Sequence, residues 1–221
     1  MKVDFHCHTV YSGDSLLEPE KMISKAKKIG LNKVAITDHN TIKGAIVSAE
    51  FAPEMVIIGE EIRVRKNGKF IGEILGYFLE EEVPGDLEIE EALNLLRNQN
   101  AFISVPHPFD AVRSKWTNSS LVQYIKFLDA IEVFNSRTLT AKPNKDALRF
   151  ASEHGIIGLN GSDAHSCFEL GQSYVDIPEF STADGLRKVM KNVQLVNRKS
   201  SGLIRFSSKI ATLRWRYGYR P

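Results

Sequence analysis

Imidazoles and carboxylates gather at four places in this chain. Five of its six histidines lie in Asp4-Phe5-His6-Cys7-His8, Thr37-Asp38-His39, Pro106-His107-Pro108 and Gly161-Ser162-Asp163-Ala164-His165. That mixture of donors is what a divalent metal ion requires. His6 and His8 stand two residues apart, so on an extended strand they share a face and both reach one ion. Cys7, between them, turns to the opposite face and reads as packing. Leaving so many polar groups buried without partners would cost several kcal/mol, so a set of ordinary core residues is a poor account of the clusters. Glu60 and Glu61 follow Gly59; one of them can bridge two cations and offset their repulsion, and the other reads as an ordinary acid. The prolines beside His107 restrict its backbone, which suits a fixed ligand. His154 has no acidic or histidine neighbour and sits near the end of an expected helix, where the dipole favours it. It reads as structural.

Each cluster follows an apolar run with the length of a strand. Strands are expected at Lys2–His6, Lys33–Thr37, Met55–Glu60, Ala101–Val105, Ala130–Phe134, Ile156–Leu159 and Tyr174–Ile177. An Asn67-Gly68 turn leads from a hairpin over Arg63–Lys69 into Phe70–Phe78. Helices are expected from Pro19 to Ile29, and over Thr41–Glu50, Leu87–Gln99, Ser120–Phe127, Ala141–His154 and Ala183–Met190. About seven alternations of strand and helix predict an α/β fold, a largely parallel sheet closed into a barrel. In such barrels chemistry sits at the C-terminal ends of the strands, where all the clusters fall.

The 221 residues, 43% of them hydrophobic and 25% charged, can bury a full core as one domain. The longest apolar runs are far too short to span a bilayer, no secretory signal is visible at the start, and the two cysteines suggest reduced thiols. A cytoplasmic enzyme is the expectation. The net charge of +2 is unevenly spread: residues 185–221 carry ten Lys or Arg and no acid, which leaves −8 for residues 1–184 (+2 minus ten). This divides the chain into a barrel domain over 1–184 and a basic C-terminal helix and tail over 185–221, packed on the barrel or extending from it. The acidic body suits cation collection and the basic tail can steer anions. Trp215, Tyr217 and Tyr219 interleave with Arg214, Arg216 and Arg220, a pattern compatible with nucleic acid.

With Ile58-Gly59-Glu60-Glu61-Ile62 and Ile74-Leu75-Gly76-Tyr77 added in order, the motifs over residues 1–180 resemble the PHP (polymerase and histidinol phosphatase) family. The resemblance implies a distorted (β/α)7 barrel with two or three divalent ions (Mn, Zn or Fe). It implies His6, His8, Glu61 and Asp163 at a first metal and Glu61 with His107 at a second. At a third it implies His39, His165 and an acid after Tyr11-Ser12. Two positions depart from the family. Glu73 stands where many relatives have His, and makes the second site harder, toward manganese or iron. Most relatives have Asp directly after the serine; here Gly13 intervenes, and Asp14 is the ligand expected.

The implied activity is phosphoester hydrolysis by a metal-activated water. Glu61, Asp38 and His165 are the expected catalytic groups, Asp38 and His165 as proton donors to the leaving group, with Asp38 also suited to orienting a ligand. Arg137 with Asn135 is expected to bind the phosphate; Arg63, Arg113 and Lys115 are weaker candidates. A phosphomonoester or nucleotide is the leading substrate. A nuclease trimming 5′ ends of RNA or DNA through the basic tail is the alternative, and a non-catalytic scaffold or nucleic-acid-binding protein is a third reading that the intact ligand set disfavours. Oligomeric state is not legible.

Overall fold

Alternate residues of the apolar strands go to opposite sides of one curved sheet, and that alternation decides which side chains meet. The computed structural model describes residues 1–201, 205–219 and 221. Its strands are β1 (Lys2–Cys7), β2 (Lys33–Ile36), β3 (Val56–Lys66), β4 (Lys69–Tyr77), β5 (Leu87–Glu88), β6 (Phe102–Val105), β7 (Ala130–Asn135), β8 (Ile157–Gly161), β9 (Tyr174–Asp176) and β10 (Gln194–Val196). The helices are α1 (Pro19–Lys28), α2 (Lys43–Phe51), α3 (Ile89–Asn98), α4 (Asn118–Tyr124), α5 (Lys142–His154), α6 (Ala183–Val189) and α7 (Arg205–Arg216).

Seven strands make the ring, in the order β1-β2-β3-β4-β6-β7-β8. A bridge between Cys7 and Ala164 brings the chain after β8 back to β1, with His8 N–H donating to Ala164 O at 2.9 Å. This is the distorted seven-stranded barrel that the sequence predicts. It is less parallel than expected. β3 and β4 form a long antiparallel hairpin, and β4 also meets β6 antiparallel. The cause is local: Asn67 and Gly68 both adopt positive φ (53° and 72°), the two-residue turn that reverses a strand with the sheet's own twist.

Val3, Phe5, Ala35, Ile57, Leu75, Tyr77, Phe102, Ala130 and Leu159 fill the barrel interior. Their strand neighbours Val34, Ile36, Ile74, Ile103 and Ile131 pack outward in the layers that also hold helix residues such as Met22, Ile23, Leu93 and Phe150. Val175, Phe180, Leu186 and Met190 join the interior cluster. The boundary expected at residue 184 therefore falls inside α6, whose Leu186 is buried. β10 continues the sheet by pairing with β9. The run of cations begins on the outer face of a core helix: Arg187 is held by Asp129 at 2.9 Å and by Asp184. Charge alone does not mark a domain edge.

Candidate metal centre

Two irregularities in the ladder aim the site. The register of β1 against β2 shifts between Asp4 and Cys7, and that of β7 against β8 shifts between Glu132 and Phe134. Such a kink re-aims the residues beyond it. Phe5 fills the interior lower down, while His6 and His8 enter the site and Cys7 packs outward, 3.9 Å from Ser162 Oγ. Glu61 follows Ile57 at even spacing along β3. Glu73 reaches the same mouth from the N-terminal half of the reversed strand β4. Gly161 is required by proximity: a Cβ there would lie 2.4 Å from His6 Cβ and 2.5 Å from Glu132 Oε1. Asp163 (φ 56°) and His107 (φ 30°) hold positive φ without being glycine, backbone strain that a surrounding network must maintain.

All nine expected ligands converge. Their donor atoms form four overlapping groups: His6, His8 and Glu61; His6, His107 and Asp163; His39, Glu61 and Glu73; and His8, Asp14, His39 and His165. A cavity of ≈ 220 Å³ opens onto Asp14, His39, Glu61, Glu73, His107, Asp163 and His165, with Arg113 and Arg137 on its wall. Both departures from the family pattern, Asp14 and Glu73, are thus inside the cluster. Glu61 spans it, with Oε1 3.1 Å from His107 Nε2 and Oε2 3.3 Å from His6 Nε2 and 3.2 Å from His8 Nε2.

The hydrogen bonds behind the histidines decide what faces the cavity. His6 Nδ1 donates to Glu132 Oε1 at 3.1 Å. His8 Nδ1 donates to Ser12 Oγ at 2.8 Å, and Ser12 in turn donates to Asp38 Oδ1 at 2.9 Å. His165 Nδ1 donates to the carbonyl of Asp163 at 2.8 Å. In each neutral ring Nε2 is left as a bare lone pair. His6 and His8 then point these lone pairs at each other across 2.9 Å, with Glu61 Oε2 beside both, and His165 Nε2 faces Asp14 Oδ2 at 3.1 Å. Asp14 Oδ1 and His39 Nδ1 are buried with no hydrogen-bond partner. Acceptors facing acceptors require positive charge between them, so the residues fit divalent cations.

The electrostatics show the same demand for positive charge, which protons on His6 and His39 meet where no cation is bound. Burial, with His165 and His39 nearby, takes His8 down to about 3, so its imidazole is neutral. Burial opposes charging His6 and His39, yet Glu61 above all raises both well past the ordinary histidine range. Burial would also raise Glu61, Asp14 and Asp163, but neighbouring imidazoles hold all three well below the carboxylate range, helped at Asp163 by Arg113. Burial and the charge of Glu61 lift Glu73 to about 7.

Other expectations are corrected. Asp38 does not line the cavity: Thr9 N, Thr9 Oγ1 and Ser12 Oγ occupy its oxygens at 2.6, 2.6 and 2.9 Å. Its place is behind His8, through Ser12. Asn135 is fully buried and donates to Glu132 and Asp163, so it holds ligands in place behind the cavity wall. Arg137 does line the cavity, steadied by Glu169 at 3.0 Å and Ser208 at 2.8 Å. Arg113, the weaker candidate, reaches Asp163, Asp110 and Asn135 on the same wall. Arg63 pairs instead with Asp86 and Lys115 caps the carbonyl of Ala111. Sequence reading missed Glu132, which accepts from His6, His107 N and Asn135; an acid inside an apolar strand was the available signal. It missed Glu169 too, which accepts from His165 N.

The description "PHP domain" matches residues 4–166, and "PHP-associated" matches residues 141–194. This chain belongs to the PHP domain family. It is a PHP-type phosphoesterase, a hydrolase of phosphoric ester bonds. An uncharacterised protein of Methanocaldococcus jannaschii is 35% identical over 229 residues, covering 99% of this chain and 90% of its own length. A protein of Caldicellulosiruptor bescii named a "probable phosphatase" is 22% identical, covering 78% of this chain and 83% of its own. The crystal structure of a lesion-specific endonuclease from Pyrococcus furiosus superimposes with a TM-score of 0.64 at 18% identity, covering 88% of this chain and 57% of its own. No helix among the described residues is long and apolar enough to cross a membrane.

Proposed function

We propose that this PHP chain hydrolyses a phosphomonoester or a nucleotide with two or three divalent cations. The observation that carries the reading is the set of bare acceptor atoms facing one another in a cavity whose wall bears Arg113 and Arg137. His6, His8, Glu61 and Asp163 would hold one cation, Glu61, His107 and Glu73 a second, and Asp14, His39 and His165 a third. Bound there, such cations polarise phosphoryl oxygens, lower the pKa of water and stabilise the leaving oxygen. Two carboxylates beside a single imidazole at the second position favour manganese or iron over zinc.

The protein's own groups do the rest. Glu132, Ser12 and the Asp163 carbonyl fix the imidazoles of His6, His8 and His165 so that Nε2 faces inward. Arg137 offers its guanidinium to a phosphoryl oxygen, a charge-assisted contact suited to a bidentate acceptor. Of the two groups expected to protonate the leaving oxygen, Asp38 lies behind His8 and His165 Nε2 faces the third cation position, so water in the cavity would supply that proton. The free thiols of Cys7 and Cys167 agree with a reducing, cytoplasmic setting.

The test is a metal-loaded screen with Mn, Fe and Zn against p-nitrophenyl phosphate, nucleoside mono- and bisphosphates, histidinol phosphate and 5′-phosphorylated oligonucleotides. Inactivity on all of them would sink the reading. Exposed Arg214 and Arg216 on α7 favour a second reading, a nuclease acting on 5′ ends. Truncation near Arg198 that abolishes only oligonucleotide cleavage would support it.

A further inference from the structure

A second cavity of ≈ 410 Å³ adjoins the metal centre, lined by Tyr11, His39, Thr41, Lys43, Trp215 and Pro221. His39 is on the wall of both cavities. Trp215 belongs to α7, which lies outside the residues matching either PHP description. The indole is seated on the loop that carries Asp14. A Cβ added at Gly13 would come within 3.0 Å of Trp215 Cδ2, and Gly13 has φ +81°. The glycine that displaces the acidic ligand by one residue is therefore also what admits the indole. α7 is held from a second side, by Arg137 donating to Ser208 Oγ at 2.8 Å, so both anchors touch residues at the metal centre.

We infer that this second cavity is the subsite for the leaving group and that it takes a planar ring, with Trp215 as the residue that sets specificity. The inference rests on the phosphoester reading and narrows it to ring-bearing substrates such as nucleotides. A phosphoryl group at the cations would direct its ester oxygen past His39, and the organic part would enter the second cavity. Two aromatic side chains, Tyr11 and Trp215, line it, and Lys43 is there for a polar or anionic edge. The volume lies within the range of pockets that bury a small organic ligand.

The full chain is loaded with manganese and assayed on adenosine 5′-monophosphate, a 5′-phosphorylated dinucleotide and glycerol phosphate, as wild type, Trp215→Leu and Trp215→Phe. Loss of one stacking face should raise KM for the ring-bearing substrates on the order of tenfold in Trp215→Leu. Trp215→Phe should restore most of it, and glycerol phosphate should change less than about twofold. The ratio of rates on adenosine 5′-monophosphate and the dinucleotide tells whether the ring comes from a free nucleotide or a strand end. An equal fall on all substrates would overturn the inference, because α7 would then only brace the Asp14 loop. Indole fluorescence, titrated with adenosine alone, separates the inference from the reading beneath it. Quenching in wild type but not in Trp215→Leu supports the ring subsite even if no phosphoester is hydrolysed, and no quenching overturns it. Should Trp215→Leu fail to fold by circular dichroism, Tyr11→Leu takes its place with the same expected pattern.

Discussion

The floor of the metal centre and its rim are built differently. On the floor, the side chains of His6, His8, Glu61 and Asp163 are 1%, 0%, 1% and 3% exposed. Each imidazole there has its tautomer fixed by a buried partner. On the rim, His39, Asp14 and Glu73 are 28%, 31% and 12% exposed, and Asp14 Oδ1 has no hydrogen-bond partner while His39 Nδ1 faces Glu61 Oε2 at 3.3 Å without a hydrogen bond. Both departures from the family pattern fall on the rim. The floor is over-determined and tolerates no change; the rim can be retuned without disturbing it.

The largest expected effect comes from the floor. Asp163→Ala should remove cations from the cluster and cost activity well beyond the ~10–100-fold that losing a supporting partner costs; bound metal per chain, measured by elemental analysis, should fall with it. Glu132→Gln tests the support itself. The amide keeps the shape but removes the charge facing His6 Nδ1, so metal affinity should fall roughly 10–100-fold, read by competition with a chelating dye. On the rim, Asp14→Asn should release one cation and leave the others bound. Glu73→His should shift preference toward zinc, with a smaller loss of activity than either floor variant.

Glu60 gives the smallest effect and the clearest pH signature. It points away from the cluster, accepts from Val83 N at 2.9 Å and leaves Oε1 buried without a partner. Burial raises it from 4.5 to about 8. The folded state then keeps a proton that the unfolded chain releases, so its contribution is full below about 4.5 and is lost as pH rises through about 8. Glu60→Gln should melt with the wild type at pH 5 and above it at pH 9, measured in chelator so that metal release does not intrude.

Which parts of this were legible follows from how local each signal is. The His6/His8 spacing and the Asn67-Gly68 turn are written within a few residues, so strand face and hairpin could be read directly. The choice between Glu60 and Glu61 needed the phase of β3, which the structure supplies through Ile57. Glu132 matters only because β7 lies one strand beyond β8 from β1, with Gly161 between His6 and Glu132, and no local pattern records that. Of the two readings of Asp38, support of a ligand and protonation, its partners Thr9 and Ser12, 29 and 26 residues away, favour the first. The docking of α7 hides in a glycine whose open side faces an indole 202 positions later in the chain.

The seam between β1 and the chain after β8 has a consequence for the order of assembly. At the level of the ligands it is closed by the bridge of Cys7 with Ala164 and two backbone hydrogen bonds of 2.9 and 3.3 Å, with Asp4 accepting from Ser162 N and β9 pairing with the start of β1. His6 and His8 lie on one side of it, Asp163 and His165 on the other. Partners more than 150 residues apart meet late, after most loop-closure entropy has been spent. Cations bound across the seam would act as a clasp on the last step of ring closure. The amides of His8 and Ala164 should then exchange with solvent faster in chelator than the interior of β2 or β3, and slow when manganese is returned.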